Sequence, residues 1–264
     1  MPGIRETDVQ IALPDGSTLP AALALPGPAM SSAGGGPSST PGGPARGSAP
    51  GVIVVHEAIG LNADIRRIAR RFAGAGYPTL APDFLAGLGP VPLCIARFAR
   101  GIGGVRTGRP YRQLDAATAW LRARPEVDGG PIGIAGFCMG GGFALLYAAG
   151  ADVAVVAPFY PAIPTDDSAL TGVCPVVASF GGRDRAFGRG AERLTPILER
   201  LGVDHDVRTY PEAGHSFMSQ HSGMTARLER RLPTHGGYVE TAAEDAWQRT
   251  LAFFDRHLGG PAGG

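Results

Sequence analysis

The chain has 264 residues, 44% of them hydrophobic and 18% charged, which is enough apolar material for one large α/β domain or two small ones. Its 24 basic and 23 acidic residues leave a formal net charge of +1, so the charge balance gives no reason to expect nucleic acid or an anionic membrane as a partner. No apolar run approaches the roughly 18 residues of a membrane span.

The three cysteines, Cys94, Cys138 and Cys174, are odd in number, widely spaced and without a C-x-x-C pair. That pattern suits neither a disulfide framework nor a zinc site. It suits a reduced, cytoplasmic protein with at least one free thiol. The first residues lack a basic stretch followed by an apolar core, so no signal peptide is expected.

Residues 7–25 alternate apolar and polar positions around Pro14-Asp15-Gly16-Ser17, which predicts two strands joined by a tight turn. Residues 26–50 are almost entirely Gly, Pro, Ala and Ser. They cannot bury enough apolar surface to offset their ordering entropy and are expected to form a disordered loop inside a single domain spanning 1–264. Val52-Ile53-Val54-Val55 is a continuous β-branched run, as in a strand buried on both faces. Residues 62–74 have helical spacing, with Ile65, Ile68, Ala69 and Phe72 on one face and Asn62 as N-cap.

Residues 77–81 predict the next strand, 114–124 a helix, 132–135 a strand and 140–149 a helix. Residues 154–157, 176–180 and 206–210 predict three further strands. Residues 241–258 predict a final amphipathic helix with Trp247, Leu251 and Phe254 on one stripe. This alternation implies a mostly parallel sheet covered on both faces by helices, an α/β architecture. Two segments fall outside it. Residues 85–112 are rich in Gly and Arg and are read as an insertion, either a lid or a solvated loop. Residues 219–238, with His221 and His235, are read as a surface loop.

The strongest local signal is Gly136-Phe137-Cys138-Met139-Gly140-Gly141, directly after a strand and before a helix. It is the strand–elbow–helix pattern of a nucleophile, with Cys in place of Ser. A sharp turn lifts the nucleophile above the carboxyl end of the sheet, and the flanking glycines remove side chains that would collide there. The helix dipole at the sulfur favours a thiolate, and the Met139 N–H is placed to meet a developing oxyanion. The bland alternative is an inert core cysteine. A phosphate-binding turn is disfavoured because neither G-x-G-x-x-G nor a Walker Lys-Ser/Thr is present.

Hydrolases of this fold run nucleophile, acid, histidine along the chain. Asp184 follows the 176–180 strand and His215 follows the 206–210 strand, so both reach the same sheet edge. Asp184 alone reads equally well as a turn former. After the first buried strand comes His56-Glu57-Ala58. Ala58 is the candidate for a second oxyanion N–H. Glu57 is a candidate acceptor for the thiol proton, the alternative being a salt bridge to an arginine. His56 reads as structural.

With V-V-H-E-A-I-G, A-P-D-F, G-F-C-M-G-G, G-G-R-D and A-G-H-S-F in this order, the sequence resembles the dienelactone hydrolase family of the α/β-hydrolase superfamily. The resemblance implies a Cys138–His215–Asp184 triad, thiol activation by Glu57, and an oxyanion hole from Ala58 and Met139. It implies a carboxylic ester hydrolase acting on a small ester or lactone, without metal or cofactor. Archetypal members bind a lactone carboxylate with arginines, one of them four residues after the histidine. Here that position is Ser219, and Arg97 and Arg100 are the candidates for a replacement. The competing expectations are an acyl or thioester transferase using the same cysteine, and a non-catalytic ligand-binding member of the fold. The assembly is expected to be a monomer or small homo-oligomer.

Overall fold

The computed structural model describes residues 3–27, 49–87, 108–221 and 234–260. Most of the 26–50 loop, the heart of the 85–112 insertion with Arg97 and Arg100, and Arg227, Arg230 and Arg231 lie outside the described residues.

The chain opens with a hairpin of β1 (Arg5–Ala12) and β2 (Thr18–Leu25). Asp15 Oδ1 accepts from the Ser17 N–H at 3.0 Å and its hydroxyl at 2.6 Å, and Gly16 takes φ +80°, which closes the turn. The following strands are β3 (Gly51–Val55), β4 (Thr79–Pro82), β5 (Ile132–Phe137), β6 (Val155–Phe159), β7 (Val176–Gly181) and β8 (His205–Tyr210). They form one sheet in the order β1-β2-β4-β3-β5-β6-β7-β8. The β1–β2 and β2–β4 pairs are antiparallel, and every other pair is parallel.

The helices are α1 (Ala63–Gly74), α2 (Arg109–Arg122), α3 (Met139–Ala148), α4 (Gly190–Leu201) and α5 (Glu240–Leu258). Every residue of β3 is buried. Val52 and Val54 pack with Ile65, Phe72, Trp247 and Phe254 of α1 and α5. Ile53 and Val55 belong to the core that also takes in Leu114, Phe143 and Leu194 of α2, α3 and α4. Alternate side chains of one strand thus enter two separate cores, the reason its sequence is apolar without alternation. Asn62 caps α1, accepting from the Asp64 and Ile65 N–H groups at 2.9 and 3.0 Å.

One boundary differs in a way that matters. Arg109 and Arg112 belong to the first turn of α2, not to an irregular insertion. Pro110 sits at the helix start, where its missing N–H costs nothing.

The strand order sets the site. From β3 the chain moves outward to β4, then returns past β3 to place β5 on the other side. That reversal leaves a crevice at the carboxyl ends of β3 and β5, the favoured ligand position in open α/β sheets.

Candidate active site

Five neighbouring parallel strands deliver the site residues from their carboxyl ends. Glu57 follows β3, Cys138 follows β5, Tyr160 follows β6, Asp184 follows β7 and His215 follows β8.

Cys138 has φ +54° and ψ −119° and is the N-cap of α3. A non-glycine residue held there costs on the order of 1–3 kcal/mol, so the surroundings must enforce it. They do so through contacts that no side chain could share. A Cβ on Gly136 would stand 2.3 Å from the Gly140 carbonyl oxygen, and one on Gly140 would stand 2.3 Å from that of His56. The Cys138 N–H donates to the Phe159 carbonyl at 3.1 Å, tying the elbow to the end of β6. Tyr160 and Ser216 also have positive φ, +40° and +58°. Three strained residues therefore surround one crevice.

His215 Nδ1 lies 2.6 Å from Asp184 Oδ2. Asp184 Oδ1 accepts from the Ala186 and Phe187 N–H groups at 2.9 and 3.1 Å. The aspartate therefore closes a turn with one oxygen and faces the imidazole with the other. Burial works against a charged His215, but hydrogen bonds to Asp184 and to the Cys138 side chain outweigh it and push the imidazole up to about 10. The His215 loop is pinned from outside: its N–H donates to the Thr234 carbonyl at 2.9 Å, and its own carbonyl accepts from Gly237 at 3.1 Å.

His56 is fully buried and structural. Nδ1 lies 2.6 Å from the Glu57 carbonyl oxygen, and Nε2 accepts from the Phe84 N–H at 3.0 Å. Burial holds its pKa below the ordinary value, which agrees with a neutral ring donating from Nδ1. Gly60 donates to the same Glu57 carbonyl at 3.1 Å. A trans peptide points its C=O and its N–H in opposite directions. Fixing the Glu57 carbonyl therefore fixes the Ala58 N–H on the opposite side. Met139 opens α3, so its N–H is one of the first-turn donors that no carbonyl of the helix satisfies.

Glu57 is 4% exposed. Its Oε1 accepts from the Tyr160 hydroxyl at 3.1 Å and from Ser219 Oγ. Its Oε2 lies 3.0 Å from His221 Nε2. Burial pushes the carboxyl up, yet His221, Ser219 and Tyr160 together hold it below its ordinary value. The basic side chain beside the carboxylate, among the described residues, is thus a histidine. Ser219 is 1% exposed and spent on Glu57.

Among the described residues, no cluster of three or more His, Cys, Asp or Glu side chains could hold a metal ion, and no helix is long and apolar enough to cross a membrane. A surface cleft of about 370 Å³, lined in part by Tyr111, Asp115, Arg122 and Tyr147, opens at the far end of α3. It lies a helix length from Cys138, at the opposite edge of the sheet.

The family model described as "Dienelactone hydrolase family" matches residues 39–258. The chain belongs to the dienelactone hydrolase family. It is accordingly a carboxylic ester hydrolase. A carboxymethylenebutenolidase of Rhodococcus opacus is 30% identical over 230 residues, covering 80% of this chain and 83% of that protein. A dienelactone hydrolase-like promiscuous phosphotriesterase from metagenomic libraries superposes with a TM-score of 0.72 at 25% identity, covering 97% of this chain and 100% of that one. A dienelactone hydrolase from Anabaena variabilis shares the fold, with a TM-score of 0.65 at 20% identity over 97% of this chain and 99% of that one.

For a dienelactone hydrolase family member, the sequence reading missed two residues at the crevice. Tyr160 was legible only as the residue that ends Val-Val-Ala-Pro-Phe-Tyr at the carboxyl edge of a buried strand. His221 lay in a segment read as surface, and its sequence neighbours carry no pattern that points to Glu57.

Proposed function

We propose that Cys138 is the nucleophile with which this hydrolase cleaves a small ester or lactone, in a triad with His215 and Asp184. The observation that carries the reading is the position of His215, whose Nδ1 lies 2.6 Å from Asp184 Oδ2 and whose pKa is raised by both Asp184 and the Cys138 side chain. Glu57 is the acceptor of the thiol proton, and the Ala58 and Met139 N–H groups form the oxyanion hole.

The steps follow from these roles. The Cys138 sulfur attacks the carbonyl carbon, a C–S bond forms, and the carbonyl π pair moves onto oxygen. Two N–H groups meet that charge as it develops, where a preorganised donor is most effective. Collapse breaks the C–O bond, and His215 protonates the leaving oxygen, which stays tethered when the substrate is a lactone. The sulfur is now acylated and uncharged, and His215, having given up its proton, is left as a neutral imidazole free to act as a base. It then takes a proton from water, which attacks the thioester and releases the acid. Each step is a nucleophilic attack or a proton transfer, for which groups of the chain suffice. Ile59, next to Ala58 and 45% exposed, offers an apolar contact at the rim.

The test is turnover of nitrophenyl acetate by Cys138→Ala. Loss of activity with an unchanged circular dichroism spectrum is expected, and retained turnover would remove Cys138 from the mechanism.

A further inference from the structure

Glu57 carries a buried negative charge in a place where two of its three partners among the described residues are neutral hydroxyls. Tyr160 and Ser219 each donate to Oε1. Among the described residues, only His221, 3.0 Å from Oε2, can offer it a positive charge. The His221 and Glu57 side chains are each 6% exposed, so water does little to screen or replace this contact. A buried carboxylate without a counter-ion takes up a proton instead of staying charged. At Glu57 burial is the strongest influence and acts in that direction, and the largest opposing contribution comes from His221.

We propose that His221 is a positioning residue that supplies the counter-ion to Glu57 and keeps this carboxylate ionised and oriented at the crevice. The inference rests on Glu57 as the acceptor of the thiol proton and adds what keeps it able to accept one. Its consequence is that the counter-ion is titratable. A protonated His221 makes the pair neutral, whereas a neutral His221 leaves a net negative charge in the site. Among the described residues, Tyr160 at the end of β6 faces the pair, and the ring of Tyr160 leads on to His215, 4.9 Å between centroids. Cys138 and Asp184 lie beyond that ring. His56, although adjacent to Glu57 in sequence, is engaged with backbone groups of Glu57 and Phe84.

The experiment follows the rate of Cys138 alkylation by iodoacetamide between about pH 5 and 9, the range in which histidine and perturbed carboxyl groups titrate. The proteins are the wild type, His221→Phe, His221→Gln, Glu57→Gln and the double variant Glu57→Gln/His221→Phe. In His221→Phe the acid limb of the profile is expected to move upward by about one pH unit or more, since burial is then opposed by hydroxyls alone. His221→Gln keeps a donor without the charge and should move it less. In the Glu57→Gln background, His221→Phe should leave the profile where Glu57→Gln has it. An acid limb unmoved in His221→Phe, or moved equally in both backgrounds, overturns the proposal. If His221→Phe does not fold, the same two-background comparison with His221→Gln decides. Cys138→Ala separates the two levels. Turnover by that variant sinks the nucleophile reading, whereas an inactive Cys138→Ala beside an unmoved acid limb sinks the role of His221 alone.

Discussion

The Tyr160 hydroxyl donates to Glu57 Oε1 at 3.1 Å. Burial, and then the Glu57 charge, hold the phenol well above its ordinary pKa, so it remains a donor throughout the working range. Tyr160 also has φ +40°, a conformation that needs outside support. We expect Tyr160→Phe to keep the ring contacts with His215 and Phe217 while leaving the carboxylate one donor short. Loss of a hydrogen bond to a charged acceptor should cost roughly 1.5–3 kcal/mol, read from urea unfolding. A variant as stable as the wild type would mean that Ser219 and His221 satisfy Glu57 unaided.

Asp184 allows its two tasks to be separated. Asp184→Asn retains a carbonyl oxygen for the Ala186 and Phe187 N–H groups but removes the charge facing His215. Thermal stability should stay nearer the wild type than that of Asp184→Ala, which loses the turn as well. Ester turnover should fall by about two to four orders of magnitude in both. Equal melting temperatures for the two variants would show that the turn does not depend on the side chain.

The elevated pKa of His215 predicts a pH dependence of stability. Its folded value of about 10 lies above the ordinary 6.5, so the folded chain binds more protons between the two. The stabilising contribution is therefore full below about 6.5, declines as pH rises, and is gone once pH has passed about 10. The difference in melting temperature between the wild type and Asp184→Asn should shrink across that window. In Cys138→Ala the midpoint of the His215 titration, followed by NMR, should fall, because the sulfur is one of the groups that raise it.

The cysteines should differ in reactivity. Burial pushes the Cys174 thiol up to about 12, which leaves almost no thiolate near neutrality. Brief alkylation followed by mass spectrometry of the peptides should find Cys138 modified and Cys174 intact. Equal modification of the two would show that the environment of Cys138 confers no advantage.

Much of the fold was legible because its signals are local. The β-branched run of β3, the Asn62 cap and the glycines around Cys138 each act within a few residues, so a sequence window contains their cause. Asp184 and His215 could be placed because the end of a strand is also a place in space once the sheet is parallel. The start of α2 at Arg109 was hidden by the glycines and arginines before it, although Pro110 is a fair start signal. The strand read over 206–210 begins one residue earlier, at His205, a shift within the usual uncertainty of ends. The partners of Glu57 were not legible. Tyr160 is 103 residues away and Ser219 is 162 residues away, and only the assembled sheet edge brings them together. The charge logic of the site thus depends on contacts that no local pattern encodes.

The φ of +54° at position 138 restricts more than backbone shape. Side chains branched at Cβ are close to intolerable in that conformation, whereas an unbranched CH₂ carrying a single heavy atom is admitted. The elbow therefore acts as a filter on the side chains that position 138 can carry. Serine and cysteine can exchange there without rebuilding the turn, but threonine cannot. If position 138 is the point of attack, as proposed, a change of attacking atom there is open to side chains with an unbranched CH₂ and closed to threonine.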